Sequence, residues 1–496
     1  MRRINININY RRMNNISRRK FIKVGAVGAA GAIAATTGLN AMEAMDPRKK
    51  KKEPAPAPKP EKVKMAAIGI ANRGRQIIQE FDATGLCEFV ALCDVDPKSK
   101  ESQQTIAEHP NAKVFTDFRK LFDEFGNQFE AVCIAIPDFS HFPVTMLALN
   151  QGKHVYVEKP MARTFYECQL MMDAARRHPE LATQVGNQGH SEANYWQFKT
   201  WVEAGIIKDI YRIDAFFNAW RRWYPYDPNT DHYPEAQPVP DGMDWNIWNT
   251  TAQFHDFNEK YHPGNWRGWY DFGLGALGDW GAHIIDTCHE FLQLGLPYEV
   301  DPLKITDYND YFFPKETTLR FKFAARGDMP PVDLTWYDGE KNFPPLPAGY
   351  GSRTAVQDDV PASGQNVPGE DSSLSPGKVI YGKDLTFRGG THGATLSIIP
   401  KEKAKEMAPY LPEVPGTPSN HFANFLKACK GEEKTRSPFE VFGPMCQTFC
   451  LGIIAIRTQR KITFDKVTNT ILNDPFANSL LADRLPRKGW DEYYKM

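Results

Sequence analysis

The chain has 496 residues, more than one ordinary hydrophobic core accommodates, so two domains with appendages are expected. Its 60 basic and 60 acidic residues cancel, which argues against the bulk attraction used by nucleic-acid and anionic-lipid binders and favours a small neutral partner. The eight cysteines form no CxxC pair and no tight disulfide framework, and Cys446 and Cys450, which can share a helix face, read as core.

At the start, Ser17-Arg18-Arg19-Lys20-Phe21-Ile22-Lys23 precedes a mildly apolar Ala/Gly-rich run from Val24 to Leu39. A basic region followed by a weak apolar one is the twin-arginine export pattern, so residues 1–45 are expected to be a signal read by that machinery and the mature protein to be periplasmic. The run supplies too little apolar area for a span of ~20 residues, and no cysteine ends it, so no membrane attachment is expected of the mature form. Residues 46–64 are rich in Lys and Pro without apolar periodicity and read as an extended linker or arm.

From Met65 short apolar runs alternate with amphipathic stretches. Strands are predicted at Met65–Ile70, Glu88–Cys93, Lys113–Phe115, Ala131–Ile136, His154–Val157 and Thr183–Val185, with helices such as Arg75–Thr84, Lys98–Glu108 and Phe142–Gln151 between them. This is the signature of an α/β Rossmann-type doubly wound parallel sheet over residues 65–186. Residues 187–435 read as an α+β domain with a mainly antiparallel open sheet. It has a helix at Ser191–Ala204, a strand at Tyr211–Asn218, an aromatic insertion reaching Phe272, and a helix at Leu277–Leu294. Strand-like runs follow at Thr317–Phe323, Val332–Tyr337, Val379–Tyr381, Leu385–Arg388 and Leu396–Ile399, and Pro345–Gly377 reads as a long surface loop. Helices at Asn420–Cys429 and Pro438–Thr458 should pack back onto the body, with 436–496 as a C-terminal helix and tail. An open sheet with an uncovered apolar face predicts a homodimer or homotetramer.

Gly69-Ile70-Ala71-Asn72-Arg73-Gly74 follows the first strand and opens a helix, and Asp94 ends the next strand. Gly69 permits a tight turn, Gly74 lets helix and strand approach, and the amides from Ala71 through Arg73 face a pyrophosphate at the helix N-terminus. Ala71 stands where a second glycine is expected. Asp94 would accept hydrogen bonds from ribose hydroxyls and repel a 2′-phosphate, favouring NAD over NADP. Lys98 and Lys100 could reach such a phosphate but read as a solvated helix start.

Two segments add chemistry. Val157-Glu158-Lys159-Pro160 follows the fifth strand, at the edge where open α/β sheets bind ligands. In Gly278-Asp279-Trp280-Gly281-Ala282-His283-Ile284-Ile285-Asp286, positions 279, 283 and 286 are expected on one helical face. A metal site from Asp279, His283, Asp286 and Glu290 lacks a second ligand cluster, and no metal is expected.

With these motifs the sequence resembles the glucose–fructose oxidoreductase, inositol dehydrogenase and rhizopine-catabolism (Gfo/Idh/MocA) family of NAD(P)-dependent enzymes, over about residues 65 to 460. The resemblance implies that Lys159 contacts the reacting hydroxyl and nicotinamide ribose, that His283 is the general acid/base and that Asp279 orients substrate and histidine. It further implies that Glu158 lies at the cofactor and that Pro137 and His141 belong to a Pro-x-x-x-His cofactor loop. Ala135 stands where the family often has Thr, so that side-chain contact is not carried over.

Seven of the eleven tryptophans lie between Trp220 and Trp280. Rings interleaved with polar groups suit a pyranose, and about half of these rings are expected to be core. Trp220, Trp223, Trp245, Trp248, Trp269, Tyr224 and Tyr226 belong to this set, and Trp266 and Arg267, with Asp286, Asn187, Gln188 and His190, are the expected substrate contacts. The expected activity is oxidation of a secondary hydroxyl of a carbohydrate or polyol with a tightly held cofactor. Redox-assisted glycoside cleavage and non-catalytic carbohydrate binding are the alternatives.

Overall fold

The computed structural model describes residues 61–219, 227–350, 374–483 and 486–496. The twin-arginine segment, most of the Lys/Pro-rich arm, Trp220, Trp223, Tyr224, Tyr226 and the middle of the 345–377 loop lie outside the described residues.

Six strands form the first sheet: β1 (Val63–Ile68), β2 (Cys87–Cys93), β3 (Lys113–Phe115), β4 (Ala131–Ile134), β5 (His154–Val157) and β6 (Thr183–Val185). Their order is β3-β2-β1-β4-β5-β6 and every pairing is parallel. Such strands are covered on both faces, which is why β4 is a continuous buried run. The first strand stops at Ile68 rather than Ile70 because Gly69, at φ +82, turns the chain out of extended conformation. The intervening helices start where side chains accept otherwise unpaired amides: Ser99 caps Lys100–Glu108, Asp117 caps Phe118–Phe125, and Thr164 with Glu167 forms a capping box on Phe165–Arg177.

The second sheet has nine strands: β7 (Ile210–Phe217), β8 (Glu299–Thr306), β9 (Glu316–Phe323), β10 (Val332–Asp338), β11 (Gly377–Gly382), β12 (Thr386–Gly389), β13 (Ser397–Ile399), β14 (Ile462–Asp465) and β15 (Thr470–Ile471). Their order is β13-β12-β11-β7-β10-β9-β8-β14-β15, antiparallel throughout except β7 against β10. The strand β8 was not expected from the sequence. It carries Pro302 and four charged or polar positions, and its register slips between Pro302 and Lys304, so no apolar alternation announces it.

The predicted helix Leu277–Leu294 is two helices, Gly275–Ile284 and Asp286–Phe291, parted at Ile285. The helix His421–Cys429 crosses to the first sheet, where Phe422, Phe425 and Leu426 join Phe81 and Tyr156 in one core. The helix Phe439–Thr458 is long and apolar enough to cross a membrane by composition, yet 83% of its most apolar window is buried inside the fold. There Cys446 and Cys450 meet Cys168, all three thiols lying within 4.8 Å of one another. The last residues return again: Trp490 and Tyr493 pack on Phe118, and Tyr494 on Phe142.

Phe81 is fully buried and meets Phe89, Tyr156, Phe422 and Phe425 edge-on. Phe81→Ala is expected to cost about 3–5 kcal/mol, read as a lowered midpoint in chemical denaturation.

Candidate functional site

The loop after β1 is a cradle that side chains cannot enter. A Cβ on Gly69 would lie 2.4 Å from the Ala135 carbonyl oxygen, and one on Gly74 would lie 2.0 Å from the Gly69 carbonyl oxygen. Ala71 leaves the turn intact because the left-handed residue is Asn72, at φ +46, while Gly74 N–H donates to the Ala71 carbonyl at 2.8 Å. Helix Arg73–Ala83 then begins, aiming its first amides at the crevice. At the end of β2, the two carboxylate oxygens of Asp94 accept from Ile70 N–H and Asp96 N–H, each at 2.9 Å, and burial raises its pKa. The acid is thereby fixed against the glycine loop. Lys98 pairs with Asp241 at 2.7 Å on the surface.

After β4, Pro137 opens the one-turn helix Asp138–Ser140. His141 is fully buried, with Nδ1 2.8 Å from the Pro160 carbonyl oxygen and Nε2 2.7 Å from that of Ile136. Burial lowers its pKa to about 4, so the neutral ring donates its one N–H to one of these carbonyls, and His141 packs the loop after β4 against the loop after β5. Glu158 is buried against Gly186, where a Cβ would lie 2.4 Å from its Oε1, and it faces Arg73 and Gln188, each at 3.4 Å.

Lys159 crosses to the second domain. Its Nζ donates to Asp279 Oδ1 at 2.7 Å and to the Asp279 carbonyl at 2.9 Å. Both side chains are little exposed, 12% and 15%. Arg267 Nε lies 3.4 Å from the same Oδ1 and its guanidinium stacks over the buried Trp266, 4.3 Å from the ring centre. One turn beyond Asp279 sits His283. It is buried, its Nδ1 has no hydrogen-bond partner, and burial, then His392, Lys159 and Arg73, hold its pKa well below the ordinary imidazole range. Such a ring is neutral and available to take a proton.

Asn187, Gln188 and His190 follow β6. Asn187 Oδ1 accepts from Ser437 at 2.7 Å while its Nδ2 is buried without a partner, a donor left for a ligand. The structure gives His190 and Asp286 a different task from the substrate contact expected of them. His190 Nδ1 lies 3.3 Å from Asp286 Oδ2 and its Nε2 2.5 Å from Glu290 Oε2, and Asp286 Oδ1 accepts from Thr287 N–H. Asp286, which opens the second of the two helices, faces His190. Burial opposes charge on His190, but the two carboxylates overcome it and lift its pKa to about 9.

Two further residues meet here. His392 stacks on His283, ring centres 4.1 Å apart and 17° from parallel, and its N–H donates to the His283 carbonyl at 2.8 Å. Its only sequence signal is the run Gly389-Gly390-Thr391-His392-Gly393 between β12 and β13. Asp138 is buried, and burial together with Asp279 pushes its pKa up to about 8 against the pull of Arg267 and Lys159.

Residues 63–186 match the oxidoreductase family Gfo/Idh/MocA, described as an NAD-binding Rossmann fold, and residues 200–305 match the C-terminal α/β domain of that family. A glycosyl hydrolase family 109 protein of Shewanella pealeana is 26% identical over 289 residues, 51% of this chain and 60% of its own length. An inositol 2-dehydrogenase of Salmonella typhimurium is 27% identical over 147 residues, 29% of this chain and 43% of its own. The alignment thus spans less than two thirds of either relative. The solved structure of levoglucosan dehydrogenase with NADH has a similar fold, with TM-score 0.54 and 16% identity, covering 81% of this chain and 99% of that one.

Two outcomes are expected. With His190 raised to about 9 from 6.5, its contribution to stability is fully present below pH 6.5 and disappears as pH rises through about 9. The gap in melting temperature between the protein and His190→Gln should therefore narrow from pH 6 to pH 9.5. For His283, the acid limb of kcat/KM should lie below the ordinary 6.5, and His392→Phe, which keeps a ring in the stack, should move it to higher pH.

Proposed function

We propose that this chain, which belongs to the Gfo/Idh/MocA family of oxidoreductases, oxidises a secondary hydroxyl of a sugar, glycoside or related polyol with an NAD that it retains through the cycle. The observation that carries this reading is the Lys159–Asp279 pair at the carboxyl end of β5, one helical turn from a buried, neutral His283. The cradle of Gly69 and Gly74 and the Asp94 carboxylate fit a dinucleotide, with Asp94 favouring NAD over NADP. When bound, the nicotinamide accepts the hydride.

The protein supplies the rest. His283 takes the hydroxyl proton as the C–H bond breaks, since burial keeps it unprotonated beforehand and no partner occupies Nδ1. Lys159 stabilises the developing alkoxide, and Asp279 keeps the ammonium aimed. Arg267 on Trp266 and the free Nδ2 of Asn187 offer donors to the ring hydroxyls. The Ser17–Leu39 pattern supports export by the twin-arginine route as a folded protein to the periplasm, away from a soluble NAD pool, and so supports retention of the cofactor.

A second reading is redox-assisted glycoside cleavage, favoured by the likeness to a protein named as a family 109 glycosyl hydrolase.

Incubation with a panel of glycosides and free sugars, with no cofactor added, separates these. A keto-sugar beside a reduced partner is the expected product; free aglycone with an unoxidised sugar establishes the second reading, and binding without any product overturns both. Lys159→Ala and His283→Ala are each expected to lower turnover by ~10²–10⁴ with the fold intact.

A further inference from the structure

One short segment of the aromatic insertion touches both walls of the nucleotide crevice. On the β2 side, Asp244 N–H donates to the Val95 carbonyl at 2.8 Å, and Lys98 pairs with Asp241 at 2.7 Å. Gly242 lies so close to the Lys98 stem that a Cβ would come within 2.7 Å of it. On the β4 side, the hydroxyls of Thr250 and Ser140 are 2.9 Å apart, Thr251 donates to the Phe139 carbonyl at 3.3 Å, and Trp248 meets the Phe139 ring edge-on. Between these attachments runs the single helical turn Trp245–Trp248, capped by Asp244.

The sheet order makes this crossing meaningful. In β3-β2-β1-β4-β5-β6, strands β2 and β4 flank β1, two strand spacings or about 10 Å apart. The six steps from Asp244 to Thr250, mostly helical at ~1.5 Å each, span about that distance. The segment therefore passes in front of the carboxyl end of β1, where the Gly69–Gly74 cradle and Asp94 lie.

It is also pinned from outside. Arg487, in the C-terminal tail, donates from Nε to the Thr250 carbonyl and from its two terminal nitrogens to the side chain and carbonyl of Asn246, all at 2.8 Å. Trp490 anchors the tail on Phe118 and under Arg119. Thr250 sits at φ +35, which a β-branched residue rarely adopts, and it is held there by bonds to its hydroxyl, amide and carbonyl. Beside the turn, His262 packs on Trp248 with Nδ1 buried and unpartnered, a polar atom that a bound group would satisfy.

We propose that residues 241–251 form a strap that confines the adenosine half of the dinucleotide, so that the nucleotide leaves only when the strap detaches from Ser140 or from Arg487. The inference rests on the dinucleotide reading above and adds the residues that make retention physical. Lys98, which faces Asp241, thereby serves the strap and not a 2′-phosphate.

The full-length protein, loaded with NAD and freed of unbound nucleotide, is followed for release of NAD by filtration and mass detection. The native protein should keep its NAD through prolonged dialysis. Arg487→Ala, which lies outside the crevice, should release it at least about tenfold faster, with the melting temperature of the nucleotide-free protein little changed. Amides 244–250 should exchange hydrogen more slowly with NAD bound. If Arg487→Ala does not fold, Ser140→Ala, which removes the bond to Thr250, is read in the same way. Fast release from the native protein, or equal release from native and variant, overturns the strap and leaves the dinucleotide reading standing. A protein that takes up neither NAD nor NADP overturns both.

Discussion

A little-exposed cation ties the loop after β5 to the helix Gly275–Ile284. The Lys159 ammonium spends two of its three protons on one residue, the Asp279 side chain and main chain, so the end of β5 and the helix Gly275–Ile284 are held in one relative position. A charge withdrawn from water needs such a partner, because leaving either member alone costs several kcal/mol. The contact also decides where His283 stands, since it lies one turn further along the same helix. Around the pair, Arg267 approaches the same carboxylate oxygen, and Asp138 is raised to about 8 and so carries little negative charge at neutral pH.

The histidines divide the remaining work by their surroundings. His141 meets two backbone carbonyls and braces loops; His190 lies between two carboxylates and carries charge; His283 has an imidazole on one face, cations nearby and no carboxylate bonded to it, and stays neutral. The same side chain is a clamp in one place, a counter-ion in another and a neutral ring with an unpartnered Nδ1 in a third. None of these roles follows from the residue type alone.

That difference marks how far the sequence could be read. The parallel sheet was legible because strands buried on both faces are continuous apolar runs and Gly69, Gly74 and Asp94 carry their reasons locally. Lys159, Asp279 and His283 were found through motifs at strand and helix ends, and the structure brings Lys159 and Asp279 into contact. His190 reads as a substrate contact because it follows the last strand of the first sheet, and Asp286 because it is expected to share a helical face with Asp279 and His283; in the structure the two face each other. His392 was missed because its partner is more than a hundred residues away in the chain, and β8 because Pro302 and its charges hide the alternation. About half of the rings in the tryptophan-rich stretch read as core, and Trp245, Trp248, Trp266 and Trp269 share a buried core with Phe139.

The position of Arg487 in the chain gives the protein an order of assembly. All six strands of the first sheet are complete by Val185, whereas the residue that pins the 241–251 segment is made about 300 residues later, roughly 15–60 s at a synthesis rate of about 5–20 residues per second. During that interval the β1 cradle exists while its outer attachment does not, and one face of the sheet still awaits Phe422 and Phe425. The outer attachment of the 241–251 segment is thus the later of its contacts to be completed, when Arg487 reaches Asn246 and Thr250.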